Sequence, residues 1–298
     1  MGSLTMANVL MGSQGQGIEV WIWFLRALSL FNIAIWLRAA AGLQRDRELQ
    51  SPELGRYRRR QLILAGLFVG GCAFRSIFPR ADVQRICLYD NWLSVVMIGR
   101  AVATVAELAF MTQWALLLGE SASAGNRDAA KIVSRILVPI IAVAELCSWY
   151  AVLSTNYLGN AIEQSIWTFA SALVVIGLLA RERGTRQRFV GIATALIGAY
   201  IVFMSMVDVP MYLHRWRADE QSRRPYLSFV EGVRDASFRR VVTHDWDPWR
   251  EEVPWMSLYF STGVWVSLWL IRAAPAGRAS VTVGDENVTQ RSLSKARS

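Results

Sequence analysis

Residues 92–119 read WLSVVMIGRAVATVAELAFMTQWALLLG, and residues 132–154 read IVSRILVPIIAVAELCSWYAVLS. A helix needs roughly 20 mainly apolar residues to cross a hydrocarbon core, and lipid offers an unpaired backbone no partner, so runs of this kind must be helical. Both carry a glutamate near the middle, inside the same tetrapeptide: Val105-Ala106-Glu107-Leu108 and Val143-Ala144-Glu145-Leu146. Sequential helices joined by a short connection are antiparallel neighbours. The pattern therefore predicts two transmembrane helices with Glu107 and Glu145 at similar depth.

Working outward, further apolar runs lie near 18–40, 61–79, 162–180, 189–213 and 253–271. They predict an all-α, polytopic transmembrane helix bundle of about seven crossings. Six is the alternative, because only 155–162 separates the fourth run from the fifth, and the sixth continues past Asp208 into Val-Pro-Met-Tyr. Composition agrees: the 298 residues are 53% hydrophobic and 18% charged, against about 25% charged in a soluble domain. Trp21, Trp23, Trp92, Trp255 and Trp269 stand near run ends, where amphipathic rings suit the membrane interface. In the second run Gly66 and Gly70 form a GxxxG pattern beside Gly71, which predicts close approach of another helix.

The net charge of +9 is almost wholly arginine, with Lys131 and Lys295 the only lysines. These charges cluster between apolar runs instead of covering a soluble face, which excludes a nucleic-acid partner. Six arginines fall in 42–60 and four in 181–188, against two in 80–91 and none in 155–161. The positive-inside rule then predicts the N-terminus outside and the C-terminus inside. Eight arginines between 214 and 252 oppose this, but that connection is long. Within it Tyr226, Phe229, Val230, Val233 and Val241 recur at helical spacing among Arg234, Arg239 and Arg240, predicting an amphipathic helix on the membrane surface or in a solvated loop. Asp247-Pro248 reads as a helix N-cap followed by proline.

The expected organisation is an N-terminal segment over 1–17, a bundle over 18–272 with an interfacial connection at 214–252, and a polar, disordered cytoplasmic tail over 273–298. Three cysteines are too few and too scattered for a disulfide framework.

The residues that could carry chemistry are the ionisable ones inside apolar runs, each costing about 2.5–3.5 kcal/mol at a helix centre. Arg100, Thr104 and Glu107 form one polar stripe; Glu145, Ser148 and Trp149 form another that returns at Asn156. Two carboxylates close together in low dielectric cannot both ionise cheaply, so one keeps a proton, as a general acid or proton carrier requires. Glu107, Glu145, Asp208 and His214 are the candidate catalytic groups, and Arg75, Arg100, Trp149, Asn156 and Tyr212 the candidate substrate contacts. The competing reading is that these charges only neutralise one another and fix helix register.

With His214 and His244 the only histidines, a bis-histidine haem pair and a histidine-box di-iron site are excluded. Neither lysine lies in a membrane run, so a retinal Schiff base is excluded as well. A single metal on Glu107, Glu145, Asp208 and His214 is chemically reasonable, though no HExxH spacing supports it. The expected function is that of a multi-pass membrane enzyme acting on a lipid-soluble substrate by acid/base or metal-assisted chemistry. The alternatives are a proton-coupled transporter of a small solute or a seven-helix receptor-like protein. The expected partners are the lipid bilayer and a hydrophobic small molecule.

Overall fold

A computed structural model describes residues 2–46, 51–123, 128–180 and 187–273. The tail beyond 273 and most of the arginine-rich 181–188 segment lie outside the described residues. The chain forms an all-α bundle. Helices α1 (Gly2–Arg45), α2 (Pro52–Ile77), α3 (Val96–Ser123), α4 (Asp128–Ser154) and α5 (Tyr157–Leu179) pack in sequence order, each against the next. Helix α6 (Gln187–Phe203) continues through a π-helical turn, Met204–Asp208, into α7 (Val209–Gln221). Among the described residues, six helices are long and apolar enough to cross a membrane: Gly17–Arg45, Pro52–Ile77, Val96–Ala122, Asp128–Ser154, Tyr157–Leu179 and Val190–Gln221. The multi-pass membrane character read from the sequence is thus present in the fold.

Val253–Leu270, read above as a seventh run, is also helical but interrupted. It comprises α10 (Val253–Leu258), a π-helical turn (Tyr259–Gly263) and α11 (Val264–Leu270). It packs on α1, α2 and α3. Leu25, Phe68, Met256, Phe260 and Val264 fill the core between α1, α2 and this segment, and Trp114, Leu137, Ile141, Trp167 and Val174 fill a second core among α3, α4 and α5.

The fourth and fifth runs are separate helices because two residues reverse the chain between them. Thr155 takes a left-handed φ of 59°, unusual for a β-branched residue, and Arg224 holds it by donating to its carbonyl and, at 3.2 Å, to its hydroxyl. Asn156 then caps α5, its Oδ1 accepting from the Leu158 amide at 2.9 Å.

The long connection does not stand apart as an interfacial loop from residue 214. α7 runs on to Gln221, and the remainder folds over one end of the bundle as a cap. Strands β1 (Arg80–Ala81) and β2 (Ile86–Cys87) pair antiparallel, and β3 (Val241–Val242) joins β2 in parallel. Helix α8 (Phe229–Phe238) opens on a capping box of Ser228 and Glu231 and lies against α4 and α3. Its contact face is small: a Cβ at Gly232 would fall 2.0 Å from the Leu153 carbonyl oxygen. The predicted amphipathic helix is therefore present, with Phe229, Val230 and Phe238 exposed on its outer face. The short helix α9 (Trp246–Arg250) starts after Asp245 and takes in Asp247 as its second residue, and the Asp245 carboxylate accepts from the Thr243 hydroxyl at 3.2 Å without capping the helix.

The glycine pattern in α2 works differently from the expected GxxxG seam. Gly71 is the point of close approach, where a Cβ would meet that of Ala106 in α3 at 2.6 Å. Gly66 makes room for the Trp36 ring of α1, and Gly70 faces open space.

Candidate active site

Arg100 is the centre of the buried polar group. It lies one turn into α3, so its side chain reaches both along its own helix and across to α4 and α5. Its Nη2 donates to Glu107 Oε2 at 2.8 Å and to Glu145 Oε2 at 2.6 Å, and its Nη1 stands 3.7 Å from Glu163 Oε1. Thr104 Oγ1 donates to the same Glu145 oxygen at 2.6 Å and accepts from Trp149 Nε1 at 3.1 Å. Asn160 Nδ2 donates to Glu163 Oε2 at 3.2 Å. At 1.5 Å of rise per residue these groups sit roughly 6–17 Å below the cap-side helix ends.

Glu107 and Glu145, read from the sequence as lying at similar depth, are joined through Arg100. Glu163 is the member that sequence reasoning missed. Its signal was an Asn160-x-x-Glu163 pair on one helical face, at the very start of the fifth run. The carboxylate oxygens of Glu107, Glu145 and Glu163 lie within 4.8 Å of one another.

The cluster forms one wall of a cavity of about 390 Å³ bounded by α3, α5, α6–α7 and the Val253–Leu270 segment. Arg100, Glu107, Ser148, Asn160 and Glu163 supply the polar wall; Trp114, Trp167, Leu196, Phe203 and Val266 supply apolar ones. Both π-helical turns border it, through Met204 and Asp208 on one side and Tyr259 and Gly263 on the other. Such turns recur at functional positions in helices.

Helix α6–α7 packs against α5 and makes no more than slight contact with Val253–Leu270 across the cavity. Only 11% of its apolar window is buried inside the protein, against 39% for α5.

Toward the cap the cavity reaches Asp208, Tyr212, Arg215 and Glu252. Arg215 lies over the Tyr157 and Tyr212 rings at 5.5 and 5.7 Å and pairs with Glu251 and, at 3.4 Å, with Glu252. Trp255 Nε1 donates to Glu252 Oε2 at 2.6 Å. Asp208 and Tyr212 thus share the cavity with the glutamates without joining their cluster.

Arg75, also on the wall, lies over Trp255 at 5.1 Å and 3.9 Å from Asp82. Arg80 Nε donates to Asp82 at 2.7 Å, with its guanidinium laid on the backbone of Gly99, where a Cβ would fall 1.2 Å from Nη1. Burial works against the Asp82 carboxylate, but Arg80, Arg75 and Arg100 together outweigh it and bring its pKa down to about 2. Burial also pulls Arg80 down, to about 10, against the attraction of Asp82. The pair is therefore worth less than its carboxylate half alone would suggest.

Three expected residues stand elsewhere. Trp149 positions Thr104 from behind the cluster, Asn156 is the α5 cap, and His214 is exposed on α7. From Asp208, six residues of helix turn the chain through about 600°, which carries His214 to the far side, whereas Tyr212 and Arg215 return to the cavity face. His244 sits in the cap with Nε2 3.1 Å from the Leu88 carbonyl oxygen. The chain matches no protein-family model, no curated protein and no solved structure.

Proposed function

We propose that this chain is a membrane-embedded enzyme that admits a lipid-soluble substrate from the side of the bundle and works on its polar end by acid/base or metal-assisted chemistry. The observation that carries the reading is the layout of the cavity. Glu107, Glu163 and Arg100 face the same space as an apolar, aromatic lining, and the wall formed by α6–α7 packs chiefly on α5, tied across the cavity mouth by the Arg215 ion pairs with Glu251 and Glu252. An amphiphile fits such a space with its tail along Leu196, Phe203 and Val266 and its polar group at the carboxylates.

In this reading the chain crosses seven times, with Val253–Leu270 as the seventh helix, and the cap lies outside. The charge distribution supports that orientation. Residues 214–252 hold eight arginines but also eight acids, and Arg215, Arg224, Arg239 and Arg240 are each ion-paired. The opposite end has six arginines against three acids in 42–60, as a cytoplasmic face does.

The test compares lipid extracts, by mass spectrometry, from membranes carrying the wild-type chain, the Glu107→Gln/Glu163→Gln double variant, or no chain. A covalent product present only with the wild type is expected. Identical extracts from all three, with both proteins inserted in equal amounts, would remove the enzyme reading. A proton-coupled carrier is the second reading, favoured by the acidic residues Asp208 and Glu252 that continue from the cluster toward the cap. Solute flux driven by a pH gradient in reconstituted vesicles, without chemical change, would select it.

A further inference from the structure

Three carboxylates meet one guanidinium in the cluster, which leaves two negative charges without a protein counter-charge. The neighbouring Arg75, Arg80 and Asp82 group adds two cations and one anion, so the wall as a whole is still acidic. Uncompensated buried charge of this kind is strongly unfavourable. Either some of the carboxyls keep their protons or a cation from outside the chain balances it.

The unpartnered atoms point to the cation. Glu145 Oε1 is buried without a hydrogen-bond partner, although its twin oxygen takes both Arg100 and Thr104. Ser148 Oγ, one turn along the same face of α4, is fully buried and also unpartnered. Asn160 Oδ1, one turn before Glu163 and in a residue only 8% exposed, is the third. Ser148 and Asn160 both line the cavity. Buried oxygens of α4 and α5 are thus left unpartnered beside the carboxylates that α3, α4 and α5 bring together.

A separation of up to 4.8 Å between carboxylate oxygens matches opposite ligands of a cation bound at about 2.0–2.6 Å. All five groups offer oxygen, and both histidines lie elsewhere. A carboxylate-rich, all-oxygen set suits hard divalent cations of the magnesium, manganese and calcium type, not those that prefer imidazole or thiolate.

We propose that Glu107, Glu145 and Glu163 bind one hard divalent cation, with Ser148 and Asn160 as neutral oxygen donors. Arg100 is then the positioning residue, since it holds the Oε2 atoms of both Glu107 and Glu145. This deepens the enzyme reading of the same cavity, giving the substrate's polar end a Lewis acid to meet.

The experiment uses the full chain purified in detergent, stripped with a chelator, and titrated with manganese chloride alone, reading free Mn²⁺ by electron paramagnetic resonance. One saturable site per chain is expected, displaced by excess magnesium or calcium and accompanied by a higher unfolding temperature. Glu163→Gln should weaken binding at least tenfold and Ser148→Ala several-fold, each with metal-free unfolding like that of the wild type. Should Glu163→Gln fail to fold, Ser148→Ala and Asn160→Ala decide by the same measure. No saturable binding by the wild type, or wild-type affinity in every variant, overturns the site. Stoichiometric Mn²⁺ in a protein that leaves membrane lipids unchanged upholds the site and removes the enzyme reading. A lipid product made by chain that binds no Mn²⁺ does the reverse.

Discussion

The charges of the cap and those of the cavity wall obey different rules. In the cap several arginines each have a carboxylate of their own: Arg85 with Asp235 at 2.7 Å, Arg240 with Asp90 at 2.8 Å, Arg224 with Asp219. On the wall one arginine serves three carboxylates, and several polar atoms go without a partner. Pairing that satisfies every group builds a surface and leaves nothing for a ligand. Pairing that leaves oxygens unmet, at a cost in stability, preserves a place for something else to bind.

That contrast breaks most visibly at Arg100. Arg100→Met leaves three buried carboxylates with no cation and should cost about 3–5 kcal/mol, seen as a large fall in unfolding temperature in detergent; a loss no greater than that of a cap variant would erase the distinction. Glu163→Gln should instead spare the fold, since Asn160 can still donate to the amide oxygen, while lowering product formation by about 100-fold, equivalent to about 2.7 kcal/mol of barrier. Turnover per inserted molecule checks it.

Gly99→Ala should destabilise by about 1–3 kcal/mol, because the Arg80 guanidinium occupies the space a methyl needs and must be displaced; unfolding temperature reads it. Asp82 sharpens the comparison by pH. Its native pKa, about 2, lies below the unfolded value, which is about 3.9, so its stabilising contribution is complete above pH 4 and lost as the pH falls from about 4 toward 2. Wild-type stability should fall through that window more than that of Asp82→Asn. The smallest effect belongs to Arg240→Ala. Its partner Asp90 is 72% exposed, so unfolding should change by less than about 1 kcal/mol.

Apolar run length and the cost of intramembrane charge made the bundle, and the similar depth of Glu107 and Glu145, legible in the sequence. Both signals act within a single helix and survive whatever the helix packs against. Glu163 and Asp82 were not legible, because each belongs to the site only through tertiary proximity to Arg100 and Arg80. His214 was drawn in by nearness along the chain, although the helical turn carries it to the opposite face. The cap was hidden for a similar reason. Its parallel pairing of Ile86–Cys87 with Val241–Val242 joins segments far apart in sequence, and residues 222–252 alone show only a polar linker with one amphipathic stretch. The cavity, a space between helices, has no sequence signature of its own.

The sparse attachment of α6–α7, packed on α5 and tied elsewhere by the Arg215 ion pairs, has a bearing on how the surroundings act on this protein. The free flank of that helix settles wherever the surrounding acyl chains press it, so bilayer thickness and lateral pressure become inputs to the width of the cavity. A change in membrane composition then alters the space between these helices with no change in any residue of the chain.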